Sequence, residues 1–119
     1  MTMSAQSLSS KQILASLQDH AGDLKSRFGV ESIGLFGSFA RDTQSDDSDI
    51  DILVQFADAS FDNYMDLKFY LEDLYGHAVD LVLIDSIKPR IKPHIMNEVR
   101  FAYPPDPEFW TDGFRRRRQ

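Results

Sequence analysis

Residues 49–56, DIDILVQF, read as a β-strand, and two of its first three residues are acidic. Successive strand side chains leave opposite faces. Ile50, Ile52, Val54 and Phe56 therefore share one face, and Asp49, Asp51 and Leu53 share the other. Residues two apart on a strand are separated by about 6.6 Å, from a rise of about 3.3 Å per residue. Two carboxylates at that distance repel by roughly 2–3 kcal/mol at an effective dielectric of roughly 20, before desolvation is counted. Such a strand can offer only one face to an apolar core. The other face is either wet or holds something positive. A third acid, Asp80, interrupts a second apolar run, HAVDLVLI, residues 77–84. Three carboxylates on two strands that could be neighbours make an oxygen-rich set suited to Mg2+. A solvated strand edge is the competing reading of Asp49 and Asp51.

The rest of the chain supplies a layer for these strands. Residues 9–28 read as one amphipathic helix, with a capping box from Ser9 to Gln12 and apolar positions at Ile13, Leu14, Leu17, Ala21, Leu24 and Phe28. Gly29 is placed to end it in the left-handed conformation. Val30 to Phe36 is a short strand. Gly37 and Ser38 break it, and a helical turn starts at Ser38. Residues 42–48 are a polar loop, and 58–60 a turn. Phe61 to Tyr75 is a second helix with Tyr64, Leu67, Leu71 and Leu74 on its stripe and Gly76 beyond its end. A last helix is expected from Pro93 to Tyr103 through Ile95, Met96 and Val99. The alternation of helix and strand points to a small α/β or α+β layer. The 119 residues are expected to form one domain over 1–104, followed by a tail, 105–119, with a basic end at Arg115–Arg118.

Charge and composition narrow the partners. The net charge is −6; without Arg115–Arg118, nine Lys and Arg face nineteen Asp and Glu, a balance of −10. So acidic a body suits divalent cations or a basic protein partner, and is a poor general binder of nucleic acid. There are no cysteines, which excludes disulfides and thiolate metal sites and fits a cytoplasmic setting. The first residues show no basic and apolar leader pattern, and no apolar run approaches the ~20 residues a membrane span needs. Asp47, Asp49 and Asp51 match the start of a calcium loop, but Ile52 stands where Gly is required and Asp58 where Glu is. His20, His77 and His94 lack metal-ligand spacing and read as surface or capping residues. Tyr64, Tyr70 and Tyr75 read as packing residues.

Gly37-Ser38, ten intervening residues, then Asp49-Ile50-Asp51 resembles the G-S-x10-D-x-D signature of the nucleotidyltransferase superfamily that includes DNA polymerase β. The flanking GSFAR and SDIDILV closely resemble the minimal nucleotidyltransferases, many of which are antitoxins paired with a HEPN-domain toxin. Members often carry Gly where this chain has Asp42, a departure that adds an acid near the site. The resemblance implies a small nucleotidyltransferase fold, a short mixed sheet flanked by helices. It implies transfer of AMP from ATP to a tyrosine hydroxyl of a HEPN RNase toxin, which silences the toxin. Asp49, Asp51 and Asp80 would be the catalytic and metal-holding residues. They would bind two Mg2+ ions about 3.5–4 Å apart. Gly37 would let the backbone approach phosphate, Ser38 would donate to it, and Arg41 would offset its charge. A surface ion pair with Asp42 or Asp46 is the alternative for Arg41. Two rival functions are an antitoxin that only masks its toxin and a transferase acting on a small hydroxylated molecule. A protein acceptor brings its own binding surface, which suits a chain whose motif core takes up most of its length.

Overall fold

β2, Ile50–Phe56, is buried along its apolar face: Ile50 and Ile52 are fully covered, and Val54 and Phe56 nearly so. The computed structural model describes residues 8–45 and 47–103. β2 pairs antiparallel with β1, Val30–Phe36, and parallel with β3, Val79–Leu83. The outer side of β1 carries β4, Arg100–Tyr103, so the mixed sheet runs β3-β2-β1-β4. Ile33 and Leu35 of β1 lie opposite Val54 and Ile52 and extend the same apolar face. Onto it pack α1, Ser10–Asp19, through Ile13 and Leu17; α2, Ala21–Phe28, through Leu24 and Phe28; and α4, Phe61–Tyr75, through Leu67, Leu71 and Tyr75. Each such side chain, once buried, contributes roughly 1.5–3 kcal/mol of apolar transfer free energy. Leu53 points to the opposite face and is also fully buried, where the Ile84–Ser86 turn packs on β2.

The local signals explain most boundaries. Ser9 and Gln12 form the expected capping box. Ser60 caps α4 by accepting from the Asn63 N–H, and Gly76 closes it with φ 62°. A short helix, α3, occupies Gly37–Arg41. The expected helix over 9–28 is in fact two, because the chain breaks at His20, with φ −97° and ψ 9°. The His20 ring Nδ1 donates to the Ser16 carbonyl, which also accepts from the His20 backbone N–H. That local bond offers the chain an alternative to a continued helix.

The expected helix from Pro93 to Tyr103 is a second correction. α5 covers Lys92–Glu98, Val99 turns extended at φ −65° and ψ 139°, and Arg100–Tyr103 forms β4. Helical spacing at Ile95, Met96 and Val99 is real but short. Beyond it the aromatic Phe101 and Tyr103 suit a strand, Tyr103 precedes a proline, and β1 has a free edge to pair. The tail, 105–119, with Arg115–Arg118, lies outside the described residues.

β4 can pair with β1 only because position 34 lacks a side chain. A Cβ on Gly34 would stand 2.8 Å from Val99 Cγ2 and 3.1 Å from both the Arg100 carbonyl oxygen and Phe101 Cα. Two of those neighbours are backbone and cannot swing away. Gly34→Ala is expected to destabilise the fold by roughly 1–3 kcal/mol. Urea unfolding checks this as a lower midpoint with an unchanged slope.

Candidate active site

The turn after β1 brings Gly37 against the acids of β2. Phe36 and Asp51 are register partners, so the residue after Phe36 passes over the Asp51 side chain. Gly37 takes φ 75°, and a Cβ there would lie 2.1 Å from Asp51 Oδ2 and 2.9 Å from its Cγ. Glycine is thus required twice, for the left-handed backbone and for the space. Ser38 follows, half-buried, and its carbonyl accepts from the Thr43 N–H.

The parallel pairing of β2 with β3 sets Asp51 directly beside Asp80. Their carboxyls are close enough to share a hydrogen bond, and Asp49 and Glu98 act on Asp51 as nearby charges. Burial raises the Asp51 carboxyl to about 6; the charges of Asp80, then Asp49 and Glu98, push the same way. Asp49 and Asp80 themselves are exposed. The acids are therefore on a wet face rather than inside the core, with only Asp51 half-covered. Among the described residues no three acids or histidines form a ready-made metal cage. The donor chemistry nevertheless fits Mg2+: the oxygens are hard, and a cation between these groups would relieve the repulsion that adds to the effect of burial on Asp51.

The Gly37 N–H donates to Glu98 Oε1 at 2.5 Å, and Arg41 Nη1 reaches the same oxygen at 2.9 Å. Arg41 thus pairs with Glu98 rather than with Asp42; Asp46 lies outside the described residues. Glu98 escapes a reading of the sequence because it stands sixty-one positions from Gly37. Only the β1–β4 pairing brings the end of α5 to the turn.

Asp42 behaves differently from expectation. It occupies the left-handed region at φ 55°, a conformation that a glycine takes without penalty. Its carboxylate accepts from the Ser10 N–H and Ser10 Oγ, both at 2.8 Å. The Ser10 backbone and hydroxyl, with Arg100 adding its charge, hold Asp42 below the usual carboxylate range. The extra acid is committed to the start of α1 instead of joining the acidic pair. Ser48 orders the loop by accepting from the Ser45 N–H. His77 Nε2 donates to the Ser48 carbonyl.

A glycine-serine turn seated on a carboxylate pair, carried by a short mixed sheet, is the layout of an enzyme that transfers nucleotidyl groups. The nucleotidyltransferase domain model matches residues 17–102, and the chain belongs to that family. It is 42% identical over 96 residues to the protein adenylyltransferase MntA of Thermococcus cleftensis, covering 80% of this chain and 97% of that one. A solved structure provisionally described as a minimal nucleotidyltransferase superposes with a TM-score of 0.67 at 29% identity, over 81% of this chain and 98% of the other. The fold is also that of the MNT antitoxin in complex with tri-AMPylated Shewanella oneidensis HEPN toxin, with a TM-score of 0.55 at 22% identity, covering 76% of this chain and 71% of that one.

The raised Asp51 makes stability depend on pH in a definite direction. A carboxyl whose folded value lies above its unfolded one contributes stability that is complete below about pH 4 and is lost as pH rises through about 6. In chelated protein, Asp51→Asn is expected to flatten this decline. At pH 7 it should raise stability by roughly 1–2 kcal/mol, after discounting for solvent screening of a half-exposed group. Urea titrations from pH 4 to pH 7.5, run on both proteins, measure it.

Proposed function

We propose that this protein transfers AMP from ATP to a tyrosine hydroxyl of a HEPN-domain toxin and thereby neutralises it. The observation that carries the reading is the Asp51–Asp80 pair set against Gly37. In this reading Asp49, Asp51 and Asp80 hold Mg2+, and Gly37, Ser38 and Arg41 receive the triphosphate. Two ions are expected, in a protein of the cytoplasm. The relative in Thermococcus cleftensis is named a protein adenylyltransferase, and the Shewanella oneidensis fold neighbour sits in complex with a tri-AMPylated HEPN toxin; both support the assignment.

The reaction is an in-line displacement. The acceptor oxygen attacks the α-phosphorus, the bond to the β-phosphate oxygen breaks, and pyrophosphate leaves. The hydroxyl proton passes to a nearby base, a role assigned here to Asp80, whose exposed carboxyl beside Asp51 supports it. Bound by the three acids, Mg2+ would neutralise triphosphate charge and make the acceptor hydroxyl more acidic. Gly37 would offer its backbone N–H to phosphate oxygens, and the exposed Arg41 supplies positive charge. The acidic body leaves a basic face on the partner as the natural complement.

Incubation with ATP, Mg2+ and the HEPN protein encoded by a neighbouring reading frame is expected to add AMP to the partner, seen by intact mass. Asp49→Asn combined with Asp51→Asn should lower transfer by roughly a thousandfold or more, the equivalent of about 4 kcal/mol of lost charge stabilisation. A partner that stays inhibited without gaining mass would favour an antitoxin that works by masking.

A further inference from the structure

Glu98 holds the two groups that a triphosphate would need. One carboxylate oxygen, Oε1, accepts from the Gly37 N–H at 2.5 Å and from Arg41 at 2.9 Å. Phosphate oxygens seek the same donors, a backbone N–H and a guanidinium, with the same charge-assisted geometry. Both anions cannot use these donors at once. Glu98 also bears on Asp51 as a like charge, so a polyphosphate arriving with Glu98 in place would meet one more negative group. Resting on the nucleotide-transfer reading, we propose that Glu98 is an internal competitor for the phosphate cradle, and that its carboxylate must leave Gly37 and Arg41 before a triphosphate can bind.

The surroundings of Glu98 permit that exchange. It is the last residue of α5, a helix with no fully buried residue, and a swing of its side chain leaves the half-covered Ile95 and Met96 in place. The Arg41–Glu98 pair is itself open to solvent, with side chains 54% and 32% exposed, and a pair of that kind is weakly held. The anchor on the far side is firmer, since β4 is fixed to β1 by register pairing from Arg100 onward. The carboxylate can therefore swing on a fixed base. It keeps the Gly37 turn in shape while the cradle is empty and sets how tightly phosphate must bind to displace it.

Calorimetry with inorganic tripolyphosphate in the absence of metal probes the cradle alone, and a non-hydrolysable ATP analogue with Mg2+ probes the full site. Glu98→Ala is expected to bind both ligands about tenfold more tightly than the parent, with Glu98→Gln in the same direction. In turnover with the partner protein, KM for ATP should fall by more than kcat changes. The ligand-free melting temperature should drop while the rise on adding ligand grows, a split that a purely structural residue would not produce. If the parent binds but neither Glu98 variant binds more tightly, the competitor role is overturned and the nucleotide reading stands. If neither parent nor variants bind either ligand, the nucleotide reading itself falls. Should Glu98→Ala fail to fold, the Gln variant carries the same comparison.

Discussion

The in-register, parallel pairing of β2 and β3 is the constraint on which the rest depends. It sets Asp51 and Asp80 side by side and fixes both to one face of the sheet. Parallel neighbours need a crossover, and α4 is that crossover. Its buried Leu67, Leu71 and Tyr75 seal the apolar face of the strands whose other face carries the acids. Core and site are thus two sides of a single sheet. A slip of one residue in β3 would move Asp80 across the sheet and bring apolar neighbours out with it. Apolar packing thereby holds two like charges together against their repulsion.

A second layer of control lies in the backbone around that pair. Gly37 stands so close to Asp51 that no other residue type fits, and the turn it makes is held by an acid from α5. The mixed sheet delivers this acid: β4 pairs on the outer side of β1 and carries Glu98 and Val99 back over Gly34 and Gly37. Two glycines on or beside β1 therefore serve different ends. One admits a strand, and the other admits a carboxylate.

The parts legible from residue pattern are those set by near neighbours. Alternation in DIDILVQF identified both faces of β2, and the turn at 58–60 and Gly76 bounded α4 at Phe61 and Tyr75. The spacing from Gly37-Ser38 to Asp49 and Asp51 marked the turn and the acidic strand that meet in space. What was not legible came from distant partners. Residues 100–103 became a strand because β1 had an unpaired edge, which helical spacing at Ile95, Met96 and Val99 could not reveal. Asp42 reads as one more acid beside the site until Ser10, thirty-two positions away, claims its carboxylate. Position 98 carried no local signal at all. The break at His20 comes where one ring nitrogen bonds a carbonyl four residues back.

The place of β4 in the sheet has a consequence for how the molecule is made. β1 and β2 emerge early from the ribosome and have pairing partners within a few dozen residues, but the outer side of β1 waits for Arg100–Tyr103. Until then a nascent chain presents a bare strand edge, the kind of surface that recruits other chains. The same interval leaves the Gly37 turn without Glu98. Translation to the far end of the domain thus exchanges a seven-residue strand edge for a four-residue one and finishes the turn in one event.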